Sequence, residues 1–586
     1  MVKISDIISD FLIANKIEIV FGVIGSANSY IYNSINERTN IKLIAVHHEQ
    51  VAIMAMGAYY RSTGKLAASL VTAGGGSSNA FTGILSNWAD SIPGIIISGQ
   101  EQSYYIQEYS DMRMYGIQGY DSVKTYQDST KMSIRITKDN VYEVFHNAFE
   151  ISQEGRPGPI FLEVPFDVQN QSIEEKIIIP YRKKELSLLE CKNETEIILN
   201  ELKYSKRPVI LAGHGIKLSK SDHLFKKFIE TYKIPTILSW SAVDLLSDDH
   251  KLNFGRSGVQ GQRSSNFIIQ NCDLLIVLGS RLSLLQTGYS REDFAPNAKI
   301  IHIDIDPTET RKFNYCNINK DINLILQSIN RENKINTLDI SEWILYCNKI
   351  KEKYNTLMPQ HLLDPKNSYS FIDILSKKIP NNYTIVTDMG TALLSGFYGY
   401  KIKENQKMFT SLGLGEMGYG IAAAVGAGFG DKPVLCLNCD GGMMMNLQEL
   451  QTIKTYNLPV KIVIFNNDGY LMIKHTQNML FSGNKVCVDK STGVELPDYE
   501  KVANAFGYNY YTQDQIDLFL EDKDQSIIEV FMDPNQEFIP KVKGLKMEDG
   551  SIKSGLLEEM SPMLPLNEVK EVMISGLNKR SNTILR

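Results

Sequence analysis

Asp440 stands in "LNCDGGMMMN", at the end of the apolar run "PVLCLNCD", and 27 residues later Asn467 follows a second run, "VKIVIF", in "NNDGY". Each run reads as a buried strand, and Leu447, Leu450 and Ile453 between them share one face of a helix. That spacing is one strand-helix-strand unit, so Asp440 and Asn467 are expected at the carboxyl ends of two parallel strands, where open α/β sheets bind ligands. A carboxylate, an amide oxygen and the Gly469 carbonyl form a hard, incomplete oxygen shell. Mg²⁺ takes such a shell when a phosphate or diphosphate completes it. Gly441 and Gly442 let a phosphate approach the backbone, and the following helix directs its N-terminus there. Taken alone, Asp-Gly-Gly is more simply a turn whose aspartate caps a helix; the asparagine pair at the matching strand end tips the reading toward a metal and phosphate site. Cys436 and Cys439 form a Cys-x-x-Cys pair, which suggests redox chemistry or half a zinc site. No second pair has zinc spacing and Cys436 lies in the strand, so packing is the better reading.

The elements that must position these residues are legible as short apolar runs alternating with helix-period segments, the pattern of parallel sheets covered by helices. "IEIVFGV", "KLIAV", "LAASLVTAG", "PGIIISG" and "PIFLEVP" form a first group. "PVILAGHG", "CDLLIVLGS" and "AKIIHIDID" form a second, and "YTIVTDMG", "PVLCLNCD", "VKIVIFNN" and "SIIEVFMD" a third. Polar stretches near 183 to 196 and 341 to 367 separate them, which predicts three α/β domains at about 1 to 180, 181 to 350 and 351 to 540, then a tail. The 586-residue chain is 43% hydrophobic and 22% charged, an ordinary globular composition, and its net charge of -6 with no basic block argues against a nucleic-acid partner. Seven scattered cysteines and the absence of any bilayer-length apolar run fit a cytoplasmic protein.

"CDGG" and "NNDGY" resemble the thiamin-diphosphate signature, with Cys439 where its first glycine is usual. "KLIAVHHEQVAIMAMGAYYRSTGK", "VTAGGGSSNAFTGILSNWADSIPGIIISGQ", "GRPGPIFLEVPFDVQ", "CDLLIVLGSR", "APNAKIIHIDIDP" and "TSLGLGEMGYGIAAAVGAG" are similar to segments of the acetolactate synthase (acetohydroxyacid synthase) branch, in family order over about residues 1 to 540. The resemblance implies three doubly wound parallel-sheet domains: pyrimidine-binding, central Rossmann-like and diphosphate-binding. It puts Glu49 in the position of the glutamate that hydrogen-bonds the aminopyrimidine ring, in an apolar setting that keeps it protonated. Met417 takes the place of the bulky side chain beneath the bent cofactor, Gly390 and Thr391 a diphosphate-contacting turn, and Gln118 an active-site glutamine. The cofactors implied are thiamin diphosphate, Mg²⁺ and, through "GRSGVQGQ" and "HIDID" in the middle domain, a structural FAD. The site forms between the first domain of one subunit and the third of another, so a homodimer is the smallest assembly and a homotetramer is compatible.

Two departures concern the acceptor. Leu285 in "GSRLSLLQTG" stands where the synthases place an arginine that pairs with a second 2-oxo acid, and Thr476 where they place a tryptophan. The expected activity is decarboxylation of a 2-oxo acid, pyruvate by resemblance, with transfer of the two-carbon unit to a larger or uncharged acceptor such as a nucleotide-linked ketodeoxysugar. The tail "KMEDGSIKSGLLEEMSPMLP" resembles tails of such sugar-pathway carboligases, with a place over the site open to it. Acetolactate synthesis proper and simple decarboxylation are the rivals. Decarboxylases typically carry a paired-histidine donor, whereas the only adjacent pair, His47 and His48, directly precedes Glu49. A regulatory or flavin-binding relative would have lost Glu49 or the metal residues. Met443 to Met445 have no assigned role.

Overall fold

The computed structural model describes residues 1–108, 111–182, 191–313, 315–332, 338–546, 549 and 552–581. Three parallel sheets follow one another along the chain. The first has six strands, Ile19–Gly22, Lys42–Ala45, Ala68–Val71, Gly94–Gln100, Met132–Arg135 and Pro159–Pro165, lying second-first-third-fourth-sixth-fifth across the sheet. The third, built from Thr384–Thr387, Lys407–Phe409, Val434–Cys439, Val460–Asn466, Asn509–Thr512 and Ser526–Phe531, repeats that order. Between them Pro208–Ala212, Thr236–Leu238, Leu274–Leu278, Lys299–Ile303 and Cys316–Ile318 lie second-first-third-fourth-fifth. The fold is therefore α/β with three doubly wound sheets, as the strand pattern predicts.

Interior strands are apolar on both faces because helices cover both. In Leu274–Leu278 the even-numbered side chains enter a core with the helices Lys192–Tyr204, Asp222–Tyr232 and Ile322–Arg331, while Leu275 and Val277 enter a second core. That second core holds the helix Ser341–Lys353 through Trp343, Cys347 and Ile350. The polar stretch after the central sheet is thus helical at its start and closes the domain. The stretch before it lies outside the described residues from 183 to 190, and the helix begins at Lys192.

The first and third domains share one core. The helix Glu49–Thr63 covers the first sheet and packs backbone to backbone on the third-domain helix Tyr419–Gly428. A methyl group added at Gly426 would lie 2.0 Å from the Ala55 carbonyl oxygen. The described part of the tail lies on the central domain: Arg263 Nη2 donates to the Pro562 carbonyl at 2.7 Å and Asn266 Nδ2 to that of Leu557 at 2.9 Å. Val542 N donates to the Val259 carbonyl at 2.8 Å, so the tail backs the 257–261 turn.

Candidate functional site

The third-domain half of the site grows from two strand ends in register. Cys439 pairs with Phe465, so Asp440 and Asn467 emerge together at the carboxyl edge. The Asp440 carboxylate is buried and accepts hydrogen bonds from the backbone N–H of Gly441 (2.7 Å), Asn467 (2.9 Å) and Gly469 (3.1 Å). Burial outweighs these three donors and pushes its pKa up to about 6. Asn467 Nδ2 donates to Thr391 Oγ1 at 3.1 Å, which leaves its Oδ1 buried and without a partner. A buried acceptor with no donor beside a carboxylate is what a missing cation would explain. Gly469, at φ +121° and with the Val488 carbonyl 2.0 Å from where a Cβ would be, fits no other residue.

The turn expected to meet the diphosphate lies alongside. Gly390, at φ +85°, leads into the helix Thr391–Gly399. Cys439 replaces the usual glycine and ties this turn to its strand: its Sγ donates to the Met389 carbonyl (3.1 Å) and accepts from Ala392 N (3.2 Å). Cys436 is fully buried in the strand Val434–Cys439. Packing also bears on the two glycines. A Cβ at Gly441 would meet the Tyr470 ring at 2.4 Å, and one at Gly442 the Asp388 carboxylate at 2.6 Å, so neighbouring side chains already require both glycines. The long helix also starts later than expected, at Glu449, because Asp440–Met443 make a single turn and the chain then folds back over Gly418. Met443 is buried core, whereas Met444 and Met445 are partly exposed. Met417, 38% exposed, projects toward Gly441, with its Cε 3.6 Å from where a Cβ there would be.

Glu49 and Gln118 lie in the first domain, and one glycine turn joins them. Glu49 is buried at the start of its helix, where Oε2 accepts from Asn79 Nδ2 at 3.0 Å and Oε1 lies 3.3 Å from where a Gly76 Cβ would be. Exposed Gln118 closes over Gly74 of the same turn and donates to the Ala73 carbonyl at 3.2 Å. Next to Glu49, Gln50 Nε2 donates to Asn446 Oδ1 at 2.8 Å, and Asn446 Nδ2 holds the Gly418 carbonyl at 2.9 Å. The helix carrying the glutamate is thereby locked to the loop carrying Met417.

Two buried carboxylates escape the sequence reading. Asp388, at the end of the strand Thr384–Thr387, accepts from Met389 N and Gly418 N, and burial raises its pKa to about 7. Its strand-end position was the available signal, the same one that marks Asp440. Glu416, accepting from Ser411 Oγ at 2.7 Å, is likewise raised by burial to about 7. Tyr499, which donates to the Asp440 carbonyl, had no local signal.

A cavity of about 440 Å³ separates the central and third domains. Ser257, Arg281, Leu285 and Gln286 line it on one side, Gly390, Leu412 and Met472 on the other. Leu285 is 58% exposed there, while Thr476 lies exposed a turn beyond Met472 on the helix Leu471–Leu480. A second space of about 110 Å³ shares His214, Gly279 and Arg281 and continues to Asp304, along the carboxyl ends of the central sheet.

A buried glutamate after one strand end and an aspartate beside an asparagine at two others are the features of a thiamin-diphosphate enzyme. Models of that class match residues 2–125 (thiamine pyrophosphate enzyme, N-terminal TPP binding domain), 195–329 (central domain) and 388–533 (C-terminal TPP binding domain). A probable acetolactate synthase large subunit of Methanococcus aeolicus is 34% identical over 84% of this chain and 85% of its own length. Acetolactate synthase isozyme 1 large subunit of Escherichia coli K12 is 32% identical over 81% and 84%, and the Lactococcus lactis large subunit 30% over 90% and 92%. The chain belongs to the acetolactate synthase family of thiamin-diphosphate-dependent carboligases. Among the described residues no helix is long and apolar enough to cross a membrane.

Proposed function

We propose that this protein decarboxylates a 2-oxo acid, pyruvate by analogy with its relatives, and joins the two-carbon unit to a carbonyl acceptor bulkier than a second 2-oxo acid, of the nucleotide-linked ketodeoxysugar class. The supporting observation is Leu285 on the wall of the 440 Å³ cavity facing Gly390: an alkyl side chain offers no pairing for a small carboxylate. Thiamin diphosphate supplies the electron sink for decarboxylation. Asp440, Asn467 and the Gly469 carbonyl would hold Mg²⁺, and the orphan Asn467 Oδ1 fits that role. Gly390, Thr391, Gly441 and Gly442 would border the diphosphate, and Met417 would support the bent cofactor. Glu49 would hold the proton shared with the aminopyrimidine, and Gln118 would close the substrate side.

Glu49 bonds to Asn79 in its own domain, so each chain carries two halves, which a homodimer or homotetramer would complete. The groove along the central strand ends suits FAD. Gly213 and Gly279 admit no Cβ there, and the buried His214 Nε2 lacks a partner. A flavin would be structural, and a yellow preparation would reveal it.

The identity to acetolactate synthases favours a second reading, in which a second 2-oxo acid is the acceptor. Turnover of pyruvate alone, compared with pyruvate plus a CDP-linked ketodeoxysugar, separates the two. Acetolactate formed rapidly, with no gain from the sugar, overturns the first. Glu49→Gln should lower turnover by about 10²-fold or more in either case.

A further inference from the structure

Away from the cofactor half-sites, the seam between the central and third domains encloses a pocket of about 230 Å³ walled by Lys217, Lys226, Lys403, Lys407 and Lys432. Five lysines lining one hollow are unexpected in a chain whose net charge is -6. Two of them are neutralised: Lys217 pairs with Asp244 at 2.6 Å and Lys226 with Glu404 at 3.0 Å. Asp222 is the remaining acid on the wall. Among the described residues Lys403, Lys407 and Lys432 have only carbonyl partners: Lys403 donates to the Ile379 and Lys377 oxygens at 2.5 and 2.9 Å, Lys407 to that of Ser62 at 2.6 Å, and Lys432 to that of Asn405. Each keeps donors and a full charge to spare. Lys407 is also partly desolvated and feels the ammonium groups of Lys217 and Lys432, which together lower its pKa.

We infer that this seam is a binding site for a phosphate-bearing small molecule, its diphosphate group held by Lys403, Lys407 and Lys432. Lysine meets phosphate as a point charge with rotatable donors, so three lysines from two chain segments around one hollow suit a compact polyanion. The site also touches the framework of the cofactor domain. Asp244, which pairs Lys217, accepts from Met408 N at 3.1 Å in the edge strand beside Thr384–Thr387, and that strand ends near Gly390. Occupancy would brace the two domains against each other.

The test uses holoenzyme saturated with thiamin diphosphate and magnesium, so that its own diphosphate site is filled. Inorganic diphosphate, ATP and adenosine are titrated separately by calorimetry. Diphosphate and ATP should bind saturably, more weakly as KCl rises, and adenosine should not bind. Equal affinity for the first two assigns the site to the phosphate group alone, and tighter ATP binding to a nucleotide. Lys407→Gln with Lys432→Gln should weaken binding about tenfold or more. Lys226→Gln, which removes an ammonium already paired, should change it far less. Lys432→Gln alone, on a half-exposed side chain, serves should the double variant not fold. No saturable binding, or binding undiminished in these variants, overturns the inference.

Discussion

Replacing Gly426 by alanine tests the contact that fixes the two half-sites relative to each other. The added carbon would stand 2.0 Å from the Ala55 carbonyl oxygen, against 3.4 Å for an ordinary contact, so the helices must part by about 1.4 Å (3.4 minus 2.0). Alanine at a helix-interior glycine position gains about 1 kcal/mol of helix propensity. Forcing an overpacked core apart costs about 1–3 kcal/mol, so the net loss of stability is only about 0–2 kcal/mol. Catalysis should suffer more. Tyr419–Gly428 begins two residues after Met417 and Glu49–Thr63 begins at the glutamate, so separation shifts both from the places where a second subunit's complementary halves would meet them. A displacement near 1 Å costs on the order of 10²-fold in rate. The assays are thermal unfolding and steady-state turnover at saturating thiamin diphosphate. Gly428→Ala is the control: the nearest contacts of its Cβ would be side chains, Leu458 at 3.1 Å and Val460 at 3.4 Å. If Gly426→Ala melted and turned over as the wild type does, the backbone contact would not position the site, and the reasoning fails.

Asn467→Ala should weaken magnesium-dependent binding of thiamin diphosphate about a hundredfold, read by quenching of protein fluorescence, while the apo protein loses only about 1 kcal/mol, the Nδ2 bond to Thr391 Oγ1, since Oδ1 has no partner among the described residues. Cys439→Ala removes the thiol that holds Met389 and Ala392, and should cost about 1–2 kcal/mol of stability while loosening the cofactor. Disulfide reagents should reach exposed Cys487 first and leave Cys436 and Cys439 slow, since burial raises both thiols well above their usual pKa. Glu558 is buried against Gln270, and burial raises its pKa from 4.5 to about 7. The folded protein therefore binds this proton more tightly than the unfolded chain. The stability it contributes is full below pH 4.5, is lost as pH rises toward 7, and stays lost above that. Glu558→Gln should be more stable than wild type at pH 8 by about 1–3 kcal/mol and should lose that advantage near pH 4.5, by denaturant titration at both pH values.

Much of the fold is legible in the chain because burial leaves a mark on composition. Every interior strand of the three sheets appears as an apolar run, since helices cover both its faces. The unread strands, Met132–Arg135, Thr236–Leu238, Cys316–Ile318, Lys407–Phe409 and Asn509–Thr512, are all sheet edges. An edge strand is short and only partly covered, so its residues need not be apolar. Asp440 and Asn467 are readable for a related reason: one strand-helix-strand unit sets their separation in sequence and their register in space. Only tertiary structure could bring Gln50 to Asn446, Ala55 to Gly426, and Lys217 to Lys407 and Lys432. These partners are separated by roughly 190 to 400 residues, and no local periodicity encodes a contact made by docking one finished domain on another. The sequence by itself determined that Asp440 and Asn467 lie at the ends of two neighbouring strands. The packing of the domains decided how those ends are placed, because the helix Glu49–Thr63 is buried between the first sheet and the third-domain helix Tyr419–Gly428.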